Sequence, residues 1–194
     1  MGPGSRSTPG TSGAWRAWYH RCSTRVYGPS RRTTWLSWIA DERVAIGSVP
    51  TADVLPRLPI VGVTHVVNCR AALQTWVSQD LSLERALLGP SRVIHAPMWD
   101  SGRHQPPRRW AAAAQFSAQA LDEDPDARVL VHCHQGRRRS VLVAYAVLRL
   151  RGRSAEDAAH LILSHRAEAQ LVPAYVASVE DWLAAGGPVA SSAW

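Results

Sequence analysis

Residues 131–140, "VHCHQGRRRS", constrain the fold more than any other stretch of the chain. A β-branched apolar run, "RVLVHC" (128–133), leads in, and a longer apolar stretch, "SVLVAYAVLRLRG" (140–152), leads out. The first has the length and composition of a fully buried strand. The second has helix length, and Gly152 stands where a helix closes. Between them the chain turns within a few residues around Gly136. Strand, tight glycine loop and helix together form an arrangement that binds anions. Backbone N–H groups converge in the loop, and the helix N-terminus adds partial positive charge.

The flanking sequence repeats the alternation of strand and helix. Strands are expected at "RVAIGS" (43–48), "VTHVVNC" (63–69) and "RVIHAPM" (92–98). Helices are expected over 71–87, over 108–123 with Pro107 at its opening, from the "SAED" capping pattern at 154–157 to about 167, and from Pro173 to about 185. Residues 99–107, "WDSGRHQPP", read as a loop, and no internal repeat is present. The fold class is therefore α/β, with a central, mostly parallel sheet flanked by helices.

Cys133 opens the loop and Arg139 closes it, with five residues between them. At that distance the guanidinium can fold across the ring of amides and offer two parallel donors to a tetrahedral oxyanion. The same field favours the thiolate, lowering the thiol pKa from its free value to about 4–6. A thiolate inside a phosphate cradle is a nucleophile aimed at phosphorus. The plainer alternative is a buried strand-end thiol beside a solvated run of arginines. Against it, Cys133, Gly136, Arg139 and Ser140 stand together at fixed offsets between a strand and a helix.

"HCHQGRRRS" resembles the HCxxGxxRS signature of the protein-tyrosine phosphatase superfamily, with Cys133, Gly136, Arg139 and Ser140 in register. Three further stretches are similar to the small dual-specificity branch: "RVAIGS…GVTHVVNC", the acid Asp100 ahead of the cysteine, and "HRAEAQLVPAYVASVEDWL". The likeness spans about residues 37–186 and implies a dual-specificity phosphatase-like catalytic domain there. It implies no cofactor and no metal, and no His/Asp/Glu cluster is evident in the sequence to hold one.

The resemblance also implies roles. Cys133 would attack phosphorus. Arg139 and the loop from His134 through Gln135, Gly136, Arg137 and Arg138 would bind the phosphate, and Ser140 would assist departure of the thiolate. His132 would orient the loop through hydrogen bonds to backbone, and Arg166 would be a structural ion-pair partner. His134 can face the substrate or the solvent. Asp100 would be the general acid. It follows the strand 92–98, on the side where ligands bind in open α/β sheets. Asp80 and Glu84 lie within the expected helix 71–87, away from strand ends, and the acids at 122–126 lie at the opposite end of the sheet. Trp99 is the one tryptophan placed near the site. His134, Gln135, Arg137 and Arg138 depart from the small or mixed residues usual in the signature.

A net charge of +7 invites a nucleic-acid reading, but its distribution argues against one. Residues 1–40 hold six arginines and no acid, whereas the remaining sixteen arginines face all fifteen acids. Residues 1–36 read as a disordered, Arg-rich segment, with 187–194 as a short tail. An acid-free, Arg- and Ser-rich start also resembles a transit peptide. Three widely spaced cysteines, Cys22, Cys69 and Cys133, form neither a disulfide framework nor a zinc site, which fits a reducing, cytoplasmic setting. No apolar run is long enough to span a membrane, and no secretory signal pattern opens the chain.

The expected activity is phosphate monoester hydrolysis through a phosphocysteine, on phosphoproteins carrying phosphotyrosine and phosphoserine or phosphothreonine. Arg137 and Arg138 add positive charge that suits a phosphoinositide or another non-protein phosphoester, the alternative substrate. Two other classes compete: a phosphate-binding module without turnover, and a rhodanese-type sulfurtransferase. Retention of Cys133, Arg139 and Asp100 argues against the first, and the longer cysteine loop together with the acid argues against the second.

Overall fold

A computed structural model describes residues 35–187. The expected N-terminal segment, apart from its last two residues, and the expected tail, apart from Gly187, lie outside the described residues.

Five strands form one sheet in the order β1-β2-β5-β3-β4. They are β1 (Leu36–Trp38), β2 (Val44–Ser48), β3 (His65–Asn68), β4 (Val93–His95) and β5 (Val129–Cys133). β1 runs antiparallel to β2, and every other pairing is parallel. The sheet is thus mostly parallel, as the alternation of elements implied. β5 sits at its centre, and all five of its residues are buried. Side chains alternate faces along a strand, so a strand buried throughout needs cover on both faces. Leu130 packs in a cluster with Ala45, Leu55, Leu58, Val63, Val66 and Val93. His132, two residues on, shares that face.

Six α-helices complete the described fold: α1 (Ala72–Ser78), α2 (Asp80–Leu88), α3 (Ala111–Glu123), α4 (Arg139–Leu150), α5 (Ala155–His165) and α6 (Pro173–Ala184). α4 is buried along ten consecutive residues, 139–148, and packs on β2, β5, α3, α5 and α6. Ser154 caps α5 by accepting a 3.0 Å hydrogen bond from the Asp157 amide. None of the described helices is long and apolar enough to cross a membrane.

Three local expectations are corrected. The single helix over 71–87 is two helices, broken at Gln79, which adopts φ +53°. The break lets Asp80 open α2 with its carboxylate turned inward, 2.9 Å from Arg70 Nη1. The strand expected over 92–98 has ladder pairing only over Val93–His95. The helix expected from 108 starts at Ala111, after a 3-10 turn at Pro107–Arg109. That turn seats the fully buried Trp110, whose indole N–H donates to the Gln105 carbonyl at 3.0 Å and whose ring meets Trp182 edge-on.

The parallel strands deliver their C-terminal ends to one edge. Ser48 stands opposite Cys133, and Asn68 opposite His132. Cys69 and Ala96 follow directly on β3 and β4.

Candidate active site

The loop between β5 and α4 is fixed by its carbonyl groups. His134 O accepts from the Val49 amide at 3.4 Å, and Arg137 O from the Gln170 amide at 2.8 Å. Gly136 O accepts from Arg166 Nε at 2.7 Å, and Gln135 O from Arg166 Nη2 at 3.4 Å. Four consecutive carbonyls are thus engaged outside the loop, which leaves the amide N–H groups for its interior. One of them, of Gly136, donates to Cys133 Sγ at 3.2 Å. Gly136 itself has φ +66°, and a Cβ there would sit 2.5 Å from the Gly47 carbonyl carbon and oxygen. Only glycine meets both demands.

Cys133 is buried, with its sulfur 3.4 Å from Ser140 Oγ. Burial pushes the thiol pKa up. Hydrogen bonds from the Ser140 hydroxyl and backbone N–H, the Arg139 charge and the Arg137 N–H outweigh it and lower the pKa to about 7. The field of the loop alone favours the expected 4–6; the cost of burying the thiolate, which a motif does not reveal, holds the value higher.

Arg139 is buried as well. Its Nη1 donates to Met98 O at 3.0 Å, to Gln74 Oε1 at 3.1 Å and to Cys69 O at 3.5 Å. Its Nε is buried without a hydrogen-bond partner. One end of the guanidinium is therefore anchored to protein, while the inner edge keeps an unused donor.

Asp100 is brought to the same loop. Arg138 Nη1 lies 3.1 Å from Asp100 Oδ1, and Tyr175 Oη donates to that oxygen at 3.1 Å. Tyr175 Oη also accepts from the Gly102 amide at 3.1 Å, tying the acid-bearing loop to α6. Arg138, expected among the phosphate-binding residues, instead pairs with the acid. It also packs at Gly102, where a Cβ would meet its Nη2 at 2.9 Å. His134, Gln135 and Arg137 are exposed on the loop, and Trp99 beside the acid is 58% exposed.

No family model matches the sequence, and no curated protein does. Solved structures match well. A structure of Tk-PTP in the active form is 22% identical over 76% of this chain and 95% of its own, with a TM-score of 0.63. PTPMT1 in complex with PI(5)P is 19% identical over 77% and 94%, with a TM-score of 0.64. Human DUSP28 is 22% identical over 82% and 100%, with a TM-score of 0.62. This chain has the dual-specificity phosphatase fold.

Within this phosphatase fold, His132 departs from its expected contacts. Its Nε2 lies 2.8 Å from Glu84 Oε1, with both side chains fully buried, and its Nδ1 has no hydrogen-bond partner. The approach lies off the line of an aligned hydrogen bond, and it becomes an ion pair when the imidazole carries a proton. Asp80 and Glu84, expected away from strand ends, in fact pack at the ends of β3 and β5, because the break at Gln79 turns α2 inward.

Asp80, Glu84 and His132 also form a cluster that the sequence did not reveal, with ligand atoms within 4.8 Å of one another. It does not fit a metal. The Asn68 amide donates to Asp80 Oδ2 at 2.9 Å and to Glu84 Oε2 at 3.1 Å, while Arg70 pairs with the other oxygen of Asp80. The Asn68 amide and the Arg70 guanidinium already engage three of the four carboxylate oxygens that a cation would need.

Arg166, expected as a structural ion-pair partner, donates to the loop carbonyls, to Ile46 O at 3.1 Å and to Ser37 Oγ at 3.2 Å. Sequence reasoning missed Gln74, Tyr175 and Glu84 as neighbours of the site. Tyr175 alone carried a signal, since it lies in the segment "HRAEAQLVPAYVASVEDWL" that resembles the closing helices of the family.

Proposed function

We propose that this chain is a cysteine-dependent phosphatase that hydrolyses phosphate monoesters through a phosphocysteine. The observation that carries this reading is the cysteine loop: four carbonyls turned outward around a thiol whose pKa is lowered to about 7. In the first step the Cys133 thiolate attacks phosphorus. The S–P bond forms, the ester P–O bond breaks, and Asp100 gives its proton to the leaving oxygen. Loop amides and Arg139, through Nε and its inner edge, hold the equatorial oxygens as they gain charge. In the second step Asp100 takes a proton from water, the water oxygen bonds to phosphorus, and the S–P bond breaks. Ser140 donates its hydroxyl hydrogen bond to the departing sulfur. Arg138 and Tyr175 hold Asp100 over the loop between turnovers.

Phosphoproteins carrying phosphotyrosine or phosphoserine and phosphothreonine are the first substrate class. The exposed, basic Arg137 favours a second, a phosphoinositide or other non-protein phosphoester, and PTPMT1, of like fold, was solved with PI(5)P. A nucleophilic thiol works in a reducing compartment, so a cytoplasmic setting goes with this reading. The test is release of inorganic phosphate from para-nitrophenyl phosphate by the full chain. Turnover lost in Cys133→Ser supports the proposal, whereas no release from the wild-type chain leaves a phosphate-binding module. Initial rates on a panel of phosphopeptides and phosphoinositide vesicles then rank the two substrate classes.

A further inference from the structure

Behind the cysteine loop lies a second group of charges that the two chemical steps do not use. Glu84 sits on the face of α2 turned to the sheet, fully buried. Its Oε2 accepts from Asn68 at 3.1 Å, while Oε1 has no hydrogen-bond partner and lies 2.8 Å from His132 Nε2. Asn68 is neutral. The nearby cation Arg70 already pairs with Asp80, the other carboxylate of the group, at 2.9 Å. A carboxylate buried without an opposite charge is strongly disfavoured. His132 is the partner left to Glu84, and its nearness to that carboxylate favours an imidazole that carries its proton. That ring belongs to the residue directly before Cys133.

We propose that Glu84 is a positioning residue for the nucleophile: its ion pair with His132 holds an imidazolium behind Cys133, and that charge favours the ionised sulfur. The proposal deepens the phosphatase reading and rests on Cys133 being the nucleophile.

The groups facing His132 agree with this assignment. They are Glu84 and Asp80 on α2 and Cys133 on β5; Arg70, the nearby cation, is paired with Asp80. Burial disfavours the charged ring, but Glu84, Asp80 and the Cys133 thiolate together raise the His132 pKa above its ordinary value. His132 Nδ1 is buried without a hydrogen-bond partner, a cost to the charged ring that the carboxylates on its other side must outweigh. Backbone geometry fixes the residue too, since His132 O accepts from the Cys69 amide at 2.8 Å. The ring is fully buried, which limits its freedom to turn away from Glu84.

Alkylation of Cys133 by iodoacetamide, followed across pH by mass spectrometry of the peptide that carries it, reads the thiolate without any substrate. Glu84→Gln keeps the size and removes the charge. The midpoint should rise by about one pH unit, so that alkylation at pH 6 slows about tenfold. Glu84→Asp, which keeps the charge, should restore most of the shift. An unmoved midpoint in a folded Glu84→Gln protein overturns the proposal. A second measurement needs no Glu84 variant. ¹⁵N histidine spectra of the full wild-type chain, with His132 assigned by its loss in His132→Asn, should show both ring nitrogens protonated at pH 7.5. A neutral ring there overturns the proposal even if Glu84→Gln does not fold. Phosphate release is scored separately, so a chain that turns over substrate with an unmoved thiol midpoint sinks only the role of Glu84. A chain with the shift but no turnover sinks only the phosphatase reading.

Discussion

The two loops that meet at the candidate site are held by opposite means. The cysteine loop is fixed by its own backbone: its carbonyls are bonded to Val49, Gln170 and Arg166, and Gly136 lies against the Gly47 carbonyl with no room for a Cβ. The acid loop is held at Asp100 by side chains. Arg138 and Tyr175 reach Asp100, whose side chain is 35% exposed, and Trp99 beside it is exposed. Bonds that tie four carbonyls to neighbouring elements, two of them through the buried Arg166 side chain, break only with the fold, whereas a side-chain latch at a half-exposed carboxylate can open and close. The difference matches the chemistry proposed for each loop. A cradle for charge developing on phosphorus works best when preorganised. An acid that must admit substrate, give up a proton and later accept one gains from a loop that can move.

Substitutions should separate the two loops by the size of their effects. The largest losses belong to the cysteine loop. Gly136→Ala and Arg139→Lys should each lower kcat about 10³-fold, because the first displaces the cradle and the second keeps a charge but loses the planar paired contact. Steady-state rates on para-nitrophenyl phosphate check both, and a lysine variant within tenfold of wild type would refute the paired contact.

Next comes the acid. Asp100→Asn should slow hydrolysis of an alkyl phosphate about 10²-fold, with a much smaller loss for a very good leaving group that needs little protonation. The alkaline limb of the kcat profile should flatten in the same variant. Equal losses on both kinds of ester would mean that Asp100 is not the proton donor.

The latch comes third. Tyr175→Phe removes two hydrogen bonds, to Asp100 and from the Gly102 amide, each of about 1 kcal/mol, and should reduce kcat about fivefold, with KM little changed. A loss as large as that of Asp100→Asn would show that the acid loop is as rigidly held as the cysteine loop, and the contrast between them would fail.

The pH dependence sharpens the comparison from the side of the thiol. With the Cys133 pKa lowered to about 7, kcat/KM should climb with pH through about 7, since below that midpoint the sulfur carries its proton and does not attack. Ser140→Ala removes the strongest of the lowering contacts and should move this limb upward. The smallest effect is expected from deleting residues 1–34, which should change kcat on a small substrate less than about threefold.

The ease of reading these regions from sequence follows the distance between the residues that make them. The cysteine loop is legible because Cys133, Gly136, Arg139 and Ser140 lie within eight residues, between a strand and a helix whose patterns are strong. Asp100 is legible by its place after a strand. The anchors of Arg139 are not: Gln74 and Met98 are 65 and 41 residues away, and only strand order brings them together. The pair of Glu84 with His132 was hidden twice, by its separation and by the break at Gln79, a residue whose type does not announce a left-handed backbone. β1 escaped notice because a three-residue edge strand has too little pattern to read. The thiol pKa was misjudged because charge can be read from a motif while burial cannot.

The most direct test of the central claim is to trap the intermediate. The full chain, mixed with a rapidly hydrolysed aryl phosphate and quenched in acid within the first turnover, should carry one phosphoryl group on the peptide that contains Cys133. Asp100→Asn should increase its yield, because the second step needs the same group as base. Cys133→Ser should show none. Phosphate found on another residue, or turnover with no phosphorylated peptide in either the wild type or Asp100→Asn, would contradict the account.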